Sequence, residues 1–153
     1  MRLDAVRAYM AEHAPDIEVM VKAVSTATVP EAAQAHGVEP GQIAKTLSLW
    51  LKDEVIVVVL GGDARLDNRK FKDRFGAKPK MLTADEVAHW TGHPVGGVCP
   101  FALAHPLKVF TDASLRRYDV VIPAAGAVNA SLRIAPERMA IMTQAEWVDI
   151  AQG

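Results

Sequence analysis

Apolar residues recur at helical spacing at the start of the chain and at strand spacing further on. Leu3, Val6 and Met10 fall on one face of an α-helix, which predicts an amphipathic helix ending near His13. A second helix is predicted after Thr28, because Thr28 can cap the N-terminus and Glu31, three residues later, can complete a capping box. Gly37 supplies the left-handed stop of this helix.

Two further helices carry their own start and stop signals. Asp67 can cap a basic helix that runs to about Phe75 and ends at Gly76. Thr83 can cap a helix over 84–90 that stops before Gly92. A last, short helix is predicted after Pro136, where proline fits the first turn.

Strand patterns begin in the middle of the chain, after a short helical turn predicted over 40–45. Residues 46–51 alternate between apolar and polar, and residues 55–60 are continuously apolar and mostly β-branched. The polar residues 52–54 between them predict a hairpin whose second strand is buried on both faces. We expect this hairpin at the centre of the sheet. Other predicted strands cover 80–82, 107–110, 120–122, 132–134 and 147–150.

This order of elements mixes strands and helices without a regular βαβ repeat. It favours an α+β fold with a mixed, mostly antiparallel sheet flanked by helices over a doubly wound fold. At 153 residues the chain fits one domain, which we expect to span 1–153.

Composition narrows the class of protein. Half of the residues are hydrophobic and 23% are charged, as in a soluble globular protein. The longest apolar run, 55–60, is far below the roughly 20 residues that span a bilayer, so we expect no membrane partner. The amphipathic N-terminal segment differs from a secretion signal, and a single cysteine cannot form an internal disulfide. We therefore expect a cytoplasmic protein.

Positive charge is concentrated in one segment, although the net charge of the chain is only −1. Residues 65–80 hold seven basic and two acidic side chains, a local excess of +5. Such a stretch suits a polyanion, and a solvated helix face is the alternative. The basic residues are Arg65, Arg69, Lys70, Lys72, Arg74, Lys78 and Lys80.

A glycine- and proline-rich loop over 92–101 is the most informative stretch of the chain. Its paired glycines, Gly96 and Gly97, allow close approach of the backbone to a ligand, and backbone amides can stabilise the negative charge on a tetrahedral intermediate. Taken alone, a loop of this composition is an ordinary tight turn more often than a ligand site.

Lys45 lies where the predicted turn meets the first long strand. A lysine between apolar residues and a sheet can point into a cleft, hold a phosphate or a carbonyl, and have its pKa lowered by burial. A solvated lysine is the alternative.

Cysteine and histidine offer two rival chemistries. His89, His93, Cys99 and His105 could be read as a zinc site, but their spacing matches no recognised zinc motif and Gly92 separates the first two. Cys99 could instead be a thiol nucleophile near histidines, with a small packed residue as the alternative.

Four ordered stretches together resemble the YbaK family, which includes the editing domain inserted in bacterial prolyl-tRNA synthetases and its free-standing relatives. The stretches are Thr28 to Ala33, Gln42 to Leu47, the glycine loop ending Cys99-Pro100-Phe101, and Pro123 to Gly126.

This resemblance implies an aminoacyl-tRNA deacylase that hydrolyses, in trans, the ester of a mischarged tRNA, with no metal ion and no cofactor. It implies that Lys45 is essential, that the loop from Gly96 to Pro100 places the terminal adenosine and the scissile carbonyl, and that a tRNA hydroxyl helps to position or activate the water. Lys45 with the Gly96 and Gly97 amides would then orient the substrate and stabilise the oxyanion.

The resemblance also suggests which residues contact the substrate. Thr46 and Gly126 match family positions near the pocket, Val98, Cys99 and Pro100 belong to the loop, and Thr26 and Asn129 are weaker candidates, as is Ser25. Arg65, Arg69, Lys70, Lys72 and Arg74 would contact the acceptor end of the tRNA. Stacking of a terminal base on Phe71, Trp90 or Phe101 is a further hypothesis, with a core position as the alternative for each.

Substrate and partners are less defined. We favour serine or threonine as the amino acid, because the N-terminal part lacks the His-Pro-Pro-like run of alanine-specific members, and alanine and cysteine stay open. An aminoacyl-tRNA synthetase as partner also stays open, and no DNA is expected. The alternative function is a tRNA- or synthetase-associated binding module without turnover.

Overall fold

The computed structural model describes residues 2–153 and contains five α-helices and eight strands within them. The helices are α1 (Arg2–His13), α2 (Val29–His36), α3 (Asn68–Phe75), α4 (Ala84–Thr91) and α5 (Pro136–Met142). The strands are β1 (Met20–Val21), β2 (Ile43–Leu51), β3 (Glu54–Gly61), β4 (Lys80–Met81), β5 (Lys108–Asp112), β6 (Ile122–Pro123), β7 (Ala130–Ser131) and β8 (Glu146–Val148). Short 3-10 helices cover Pro40–Gln42 and Ala113–Arg117.

Predicted capping chemistry determines where the helices begin and end. Thr28 and Glu31 form the complete capping box of α2, and Thr83 and Glu86 do the same for α4. Asp67 caps α3, with its side chain accepting from the amide of Lys70. These three helices end at glycines in the left-handed conformation, as predicted.

The main sheet has the strand order β4-β2-β3-β5-β8, and β6 also pairs with β2. The antiparallel hairpin β2–β3 is its longest pairing, with Lys45 opposite Leu60 and Ser48 opposite Val57. Strand β6 pairs in parallel with β2, β5 with β3, and β8 with β5, so the sheet is mixed. The predicted α+β class is confirmed.

Strand β3 lies in the middle of the sheet and is buried on both faces, as its sequence predicts. Val57 and Val59 point into the cluster beneath α1 and α5, which also holds Phe101. Ile56, Val58 and Leu60 alternate with them and contact the cluster beneath α3. A continuous β-branched run thus fills two hydrophobic cores at once.

The outer edge of β2 is covered in two separate places. Strand β6 pairs with residues 43–44 and strand β4 with residues 49–50, while β3 occupies the other edge throughout. In the part of the chain that the structure describes, residues 45–48 therefore have no strand on this edge. Backbone amide and carbonyl groups of an unpaired edge are free to meet a ligand.

Some predicted boundaries differ from the structure. Strand β2 begins at Ile43, so Lys45 belongs to the strand itself and not to the turn before it. The predicted strand over 132–134 lies instead at 130–131, and Ile134 keeps only an isolated bridge to Val121. Among the described helices, none combines the length and apolar character that crossing a membrane requires.

Candidate functional site

A cavity of about 220 Å³ opens at the uncovered edge of β2. Its walls come from the segment before α2, the edge of β2, the glycine loop and the β6–β7 region. Polar lining residues are Thr26, Thr28, Lys45, Thr46, Ser48 and Ser131. The apolar and glycine lining residues are Ala27, Val29, Ala32, Ile43, Ala44, Leu47, Met81, Val87, Val95, Gly96, Val98, Ile122 and Ala124. The cavity joins segments that are more than 100 residues apart in the sequence.

The cavity has an exposed mouth and a buried inner end. Met81 and Val95 are 61% and 60% exposed, so they mark the mouth. Ile122 and Ser131, by contrast, are only 1% and 2% exposed. A large polar group tethered to a macromolecule can be held at the mouth, while a small side chain can reach the inner end.

Lys45 is held by the turn that follows β3. Its Nζ atom donates to the carbonyl oxygen of Gly62 at 3.3 Å and also to that of Ala64. Burial lowers the pKa of Lys45, while Asp63 raises it and Arg65 lowers it further. An ammonium group has three donors, so one donor remains for a ligand.

The glycine loop can adopt its path only with glycine at its two central positions. Gly96 has a φ of +91°, and a Cβ atom there would lie 2.8 Å from the Cβ of Ala27. Gly97 packs so closely on Ala127 that a Cβ would lie 2.6 Å from the Ala127 nitrogen. Both glycines therefore allow close backbone approach, as predicted. The groups that approach them are Ala27 and Ala127 of the protein itself and not a ligand.

Backbone hydrogen bonds decide which loop amides are available. The Gly97 amide donates to the Pro94 carbonyl at 2.9 Å, and the Gly97 carbonyl accepts from Gly126 at 2.9 Å. Across residues 2–153, the amides of Gly96 and Val98 donate to no protein acceptor, and both residues line the cavity. The expected ligand-binding role of the Gly97 amide thus does not fit this geometry, whereas Gly96 and Val98 fit it.

The segment before α2 closes the cavity opposite the sheet. The Thr26 amide donates to the Val128 carbonyl at 2.7 Å, and the Thr26 hydroxyl donates to the same oxygen at 3.4 Å. The Thr28 hydroxyl donates to the Glu31 carboxylate in the capping box. The Ser25 hydroxyl donates to the same carboxylate oxygen. Capping of α2 and closure of the cavity thus depend on the same few residues.

Five predicted site residues line the cavity, namely Thr26, Lys45, Thr46, Gly96 and Val98. The hydroxyl of Thr46 is buried and has no hydrogen-bond partner within residues 2–153. Five others lie outside the lining, namely Gly97, Cys99, Pro100, Gly126 and Asn129. Pro100 faces a separate groove beside Tyr9 and His13.

Gly126 and Asn129 have structural contacts instead. A Cβ atom on Gly126 would lie 2.8 Å from the Arg2 carbonyl oxygen, and its φ of +89° also favours glycine. The Asn129 amide group donates to the Lys22 carbonyl at 3.1 Å. These contacts explain the residue types without a ligand.

Cys99 belongs to the hydrophobic core. It is fully buried, and burial raises the pKa of its thiol to about 12. Its sulfur lies 3.5 Å from His93 Nε2, and that nitrogen also lies 2.7 Å from the Phe101 carbonyl oxygen. A protonated, buried thiol is a poor nucleophile, so the packed role fits and the thiol hypothesis does not.

The histidines of the hypothetical zinc series do not converge. His93 is buried next to Cys99, whereas the rings of His89 and His105 lie 5.0 Å apart in a tilted arrangement beside Trp90. No group of three potential ligands of the His, Cys, Asp or Glu type comes together in the described chain. Of the predicted stacking rings, Phe71 and Phe101 are core residues, and Trp90 packs edge-on against Trp50.

The basic segment holds two ion-paired residues and five exposed residues, Lys78 and Lys80 among them, that form no ion pair within residues 2–153. Lys70 contacts Asp149 at 3.2 Å and the Ala151 carbonyl at 2.9 Å, and Arg74 pairs with Glu146. Arg65, Arg69 and Lys72 are exposed. Arg65 directly follows Ala64, whose carbonyl accepts from Lys45, and its charge lowers the pKa of Lys45, so exposed positive charge begins next to Lys45.

Only five of the nineteen lining residues were predicted from the sequence, and the other fourteen, among them Ser48, Ala124 and Ser131, were not. Ser48 and Ala124 lie in stretches that were singled out for other reasons, whereas Ser131 lies in a strand of only two residues. The Ser131 hydroxyl is 2.6 Å from Nε2 of His36, which is 95 residues away in sequence. No local pattern encodes such a contact.

Comparisons with known proteins identify the family of this chain. The model of the family described as "Aminoacyl-tRNA editing domain" matches residues 23–140. The chain is 39% identical to "Uncharacterized protein YwhH" of Bacillus subtilis over 99% of this chain and 98% of that protein. It is 28% identical to "Putative Cys-tRNA(Pro)/Cys-tRNA(Cys) deacylase EbsC" of Enterococcus faecalis, with 77% and 73% covered.

A solved structure supports the same relationship. The "Crystal structure of a putative trans-editing enzyme for prolyl tRNA synthetase" superposes with a TM-score of 0.91 at 31% identity, covering 99% of this chain and 98% of that one. The proline–tRNA ligase of Citrifermentans bemidjiense is 33% identical over 69% of this chain, which corresponds to 19% of that enzyme. With three quarters of its length matched by the family model, the chain belongs to the aminoacyl-tRNA editing domain family.

Proposed function

We propose that this chain hydrolyses, in trans, the ester bond of mischarged aminoacyl-tRNA. The observation that carries the proposal is the meeting of the partly buried Lys45 and the free Gly96 and Val98 amides around one cavity of about 220 Å³. Membership of the editing family supplies the reaction class. The acceptor end of the tRNA enters at the mouth, and the amino acid lies inside. This substrate implies a cytoplasmic location.

Lys45 acts as an orienting and electrostatic group in this mechanism. Its ammonium is fixed by two backbone carbonyls, so its remaining donor is pre-positioned and need not be ordered by the substrate. That donor binds the substrate and offsets negative charge that develops at the ester. A partly buried cation is more effective in this role than a solvated one, because water screens it less.

The amides of Gly96 and Val98 stabilise the oxyanion. Both lack protein acceptors in the described chain and line the cavity, which leaves them available when a carbonyl oxygen becomes negatively charged. Removal of a single oxyanion donor costs about 10²- to 10³-fold in rate in other hydrolases. The fixed path of the loop keeps these donors in place before the reaction.

Water is the nucleophile, assisted by a hydroxyl group of the terminal ribose. The water oxygen bonds to the carbonyl carbon and loses a proton, the carbon–oxygen bond of the ester breaks, and the departing ribose oxygen takes up a proton. Among the potential protein nucleophiles, Cys99 is excluded from the cavity by burial in the core. Hydrolysis in this form uses neither a metal ion nor a cofactor.

The exposed basic residues contact the tRNA backbone. Arg65, Arg69 and Lys72 are exposed, and Arg65 directly follows Ala64, whose carbonyl accepts from Lys45. Phosphate contacts of this type are weakened by salt. Lys70 and Arg74 contribute less than the sequence suggests, since acidic side chains already neutralise them. An aminoacyl-tRNA synthetase as a third component is compatible with this arrangement.

Turnover separates this proposal from a binding module without activity. Purified protein at a substoichiometric amount is mixed with one tRNA body charged with alanine, cysteine, serine or threonine, and released amino acid is counted. We expect several turnovers per protein molecule with at least one ester. Saturable tRNA binding without release from any of the four would contradict hydrolysis and favour the binding module.

A further inference from the structure

A serine–histidine pair lies at the inner end of the cavity. Ser131 Oγ is 2.6 Å from His36 Nε2, and Ser131 is only 2% exposed while lining the cavity. Strand β7 holds Ser131 by pairing with Met20 and by a bridge to Ala124. His36 is the last residue of α2. The hydroxyl is thus fixed from both sides.

The surroundings of this hydroxyl are apolar. Ala32 lies one turn before His36 on α2, and it packs with Ile43 and Ile122 in a small hydrophobic cluster that forms part of the cavity wall. Ala124 is the bridge partner of Ser131. A hydroxyl held by a fixed partner beside apolar groups is an arrangement that discriminates ligands by one polar group. The other hydroxyls of the cavity wall belong to Thr26, Thr28, Thr46 and Ser48.

The ring of His36 determines what Ser131 can offer a ligand. Burial lowers the pKa of His36, and the charged groups that face it, Lys22 and Arg133, lower it further. The imidazole is therefore neutral at neutral pH. If Nε2 carries the proton, Ser131 accepts from it and donates into the cavity; otherwise Ser131 donates to Nε2 and accepts from the cavity.

A hydroxyl ligand satisfies both arrangements, because it donates and accepts. A methyl group does neither, and a thiol does both weakly. Since the terminal adenosine must stay at the mouth with the rest of the tRNA, the group that reaches the buried end is the side chain of the amino acid. The Ser131 hydroxyl and the small apolar residues near it together match a short side chain with a hydroxyl.

We propose that Ser131, held by His36, is a subsite that recognises the side-chain hydroxyl of a seryl or threonyl ester. This inference rests on the proposed function, since it names the amino acid at that same site. A neutral hydrogen bond made inside a dry pocket gives about 10- to 100-fold discrimination against a ligand that lacks the hydroxyl. His36 is a positioning residue, and it acts through Ser131.

The experiment compares kcat/KM for seryl, threonyl, alanyl and cysteinyl esters on one tRNA body. The wild-type protein is expected to prefer the seryl and threonyl esters over the alanyl ester by about 10-fold or more. In Ser131→Ala, hydrolysis of the two hydroxyl-bearing esters should fall about 10- to 100-fold while alanyl hydrolysis changes less than about threefold. A loss confined to two esters is a readout that a general loss of structure would not give.

Two further variants guard against a folding defect. Ser131→Ala leaves the half-buried His36 ring without its partner, so the double variant Ser131→Ala with His36→Leu removes both polar groups together. The double variant is expected to lose the preference for seryl and threonyl esters over the alanyl ester to the same extent as Ser131→Ala. Ser131→Thr keeps the hydroxyl and should retain more of the seryl preference than Ser131→Ala does.

The outcomes separate this inference from the proposed function. If Ser131→Ala lowers all four rates equally, or if wild-type protein hydrolyses the alanyl ester as fast as the seryl ester, the hydroxyl subsite is overturned and the deacylase stands. If Ser131→Ala abolishes every reaction while Lys45→Ala retains activity, the roles assigned to both residues are wrong. If wild-type protein hydrolyses none of the four esters, the proposed function itself fails.

Discussion

A Cβ atom added to Gly96 would lie 2.8 Å from the Cβ of Ala27, so the glycine loop and the segment before α2 are in direct contact across the cavity. Gly96 also has a φ of +91°, which side chains rarely adopt. Both constraints act at the residue whose amide we assign to the oxyanion.

Gly96→Ala is therefore expected to displace the loop and to lower deacylation about 10- to 100-fold, because small misplacements of catalytic groups are costly. The control is Gly76→Ala, since Gly76 has a similar φ of +80° and its added Cβ would meet nothing closer than 3.8 Å. That variant should lose about 1 kcal/mol of stability and keep its activity. Equal rates in both variants, measured on one mischarged tRNA, would refute the role of the loop.

The positive charge near Lys45 predicts a second pair of variants. Arg65→Ala should weaken tRNA binding and reduce the slope of log affinity against log salt concentration by about one, because one phosphate contact is lost. Arg74→Ala is the matched control, since Arg74 is already paired with Glu146 and lies over the rings of Phe75 and Phe110. Affinities measured between low and moderate salt check both. An unchanged slope in Arg65→Ala would remove Arg65 from the tRNA contact.

Most of the fold could be predicted from local sequence. The capping boxes at Thr28 and Thr83, the stop at Gly76 and the buried strand β3 all depend on neighbours in sequence, and the structure confirms each. The cavity is different, because its walls are assembled from distant segments. Lys45 and Gly96 were identified through their residue types and motifs, but the availability of an amide depends on tertiary hydrogen bonds.

Gly97 and Ser131 are two residues whose roles could not be predicted from local sequence. Gly97 belongs to the glycine motif, yet its amide donates to the Pro94 carbonyl within the loop and is not available to a ligand. Ser131 has no motif, and the pairing of β7 with β1, together with its bridge to Ala124, brings it to the cavity and to His36. Long-range contacts of two-residue strands leave no periodic signal in the sequence.

The buried thiol gives a third prediction. Cys99→Ala should retain deacylation, with stability lowered by about 1–2 kcal/mol because the sulfur packs in the core. A thiol reagent should not modify the native protein at neutral pH, since the pKa of Cys99 is raised to about 12 and the side chain is fully buried. Mass spectrometry with and without denaturant provides the measurement. Rapid modification that also abolishes activity would restore the nucleophile hypothesis.

An ion pair outside the cavity lining gives a pH prediction. Hydrogen bonds from Arg138 to Asp16, at 2.7 and 2.6 Å, lower the pKa of Asp16 from an ordinary 3.8 to about 2. A lowered pKa in the folded state means that the stabilisation is present above pH 3.8 and is lost as the pH falls towards about 2. The effect on stability is small because the pair is exposed.

An NMR titration of the Asp16 carboxyl group measures this shift, and Arg138→Gln is the control that should return the pKa towards 3.8. An identical titration in both proteins would show that the pair does not form in solution.

The most direct test of the catalytic account is the single-turnover rate of Lys45 variants on a mischarged tRNA that the wild-type protein hydrolyses. Lys45→Ala and Lys45→Gln should each lower the rate about 100-fold or more while folding normally and still binding tRNA, because the fixed cation is lost from the cavity. Lys45→Arg should recover only part of the rate, since a planar guanidinium cannot reproduce the contacts of the ammonium with Gly62 and Ala64. A folded Lys45→Ala protein that releases the amino acid at the wild-type rate would contradict the account.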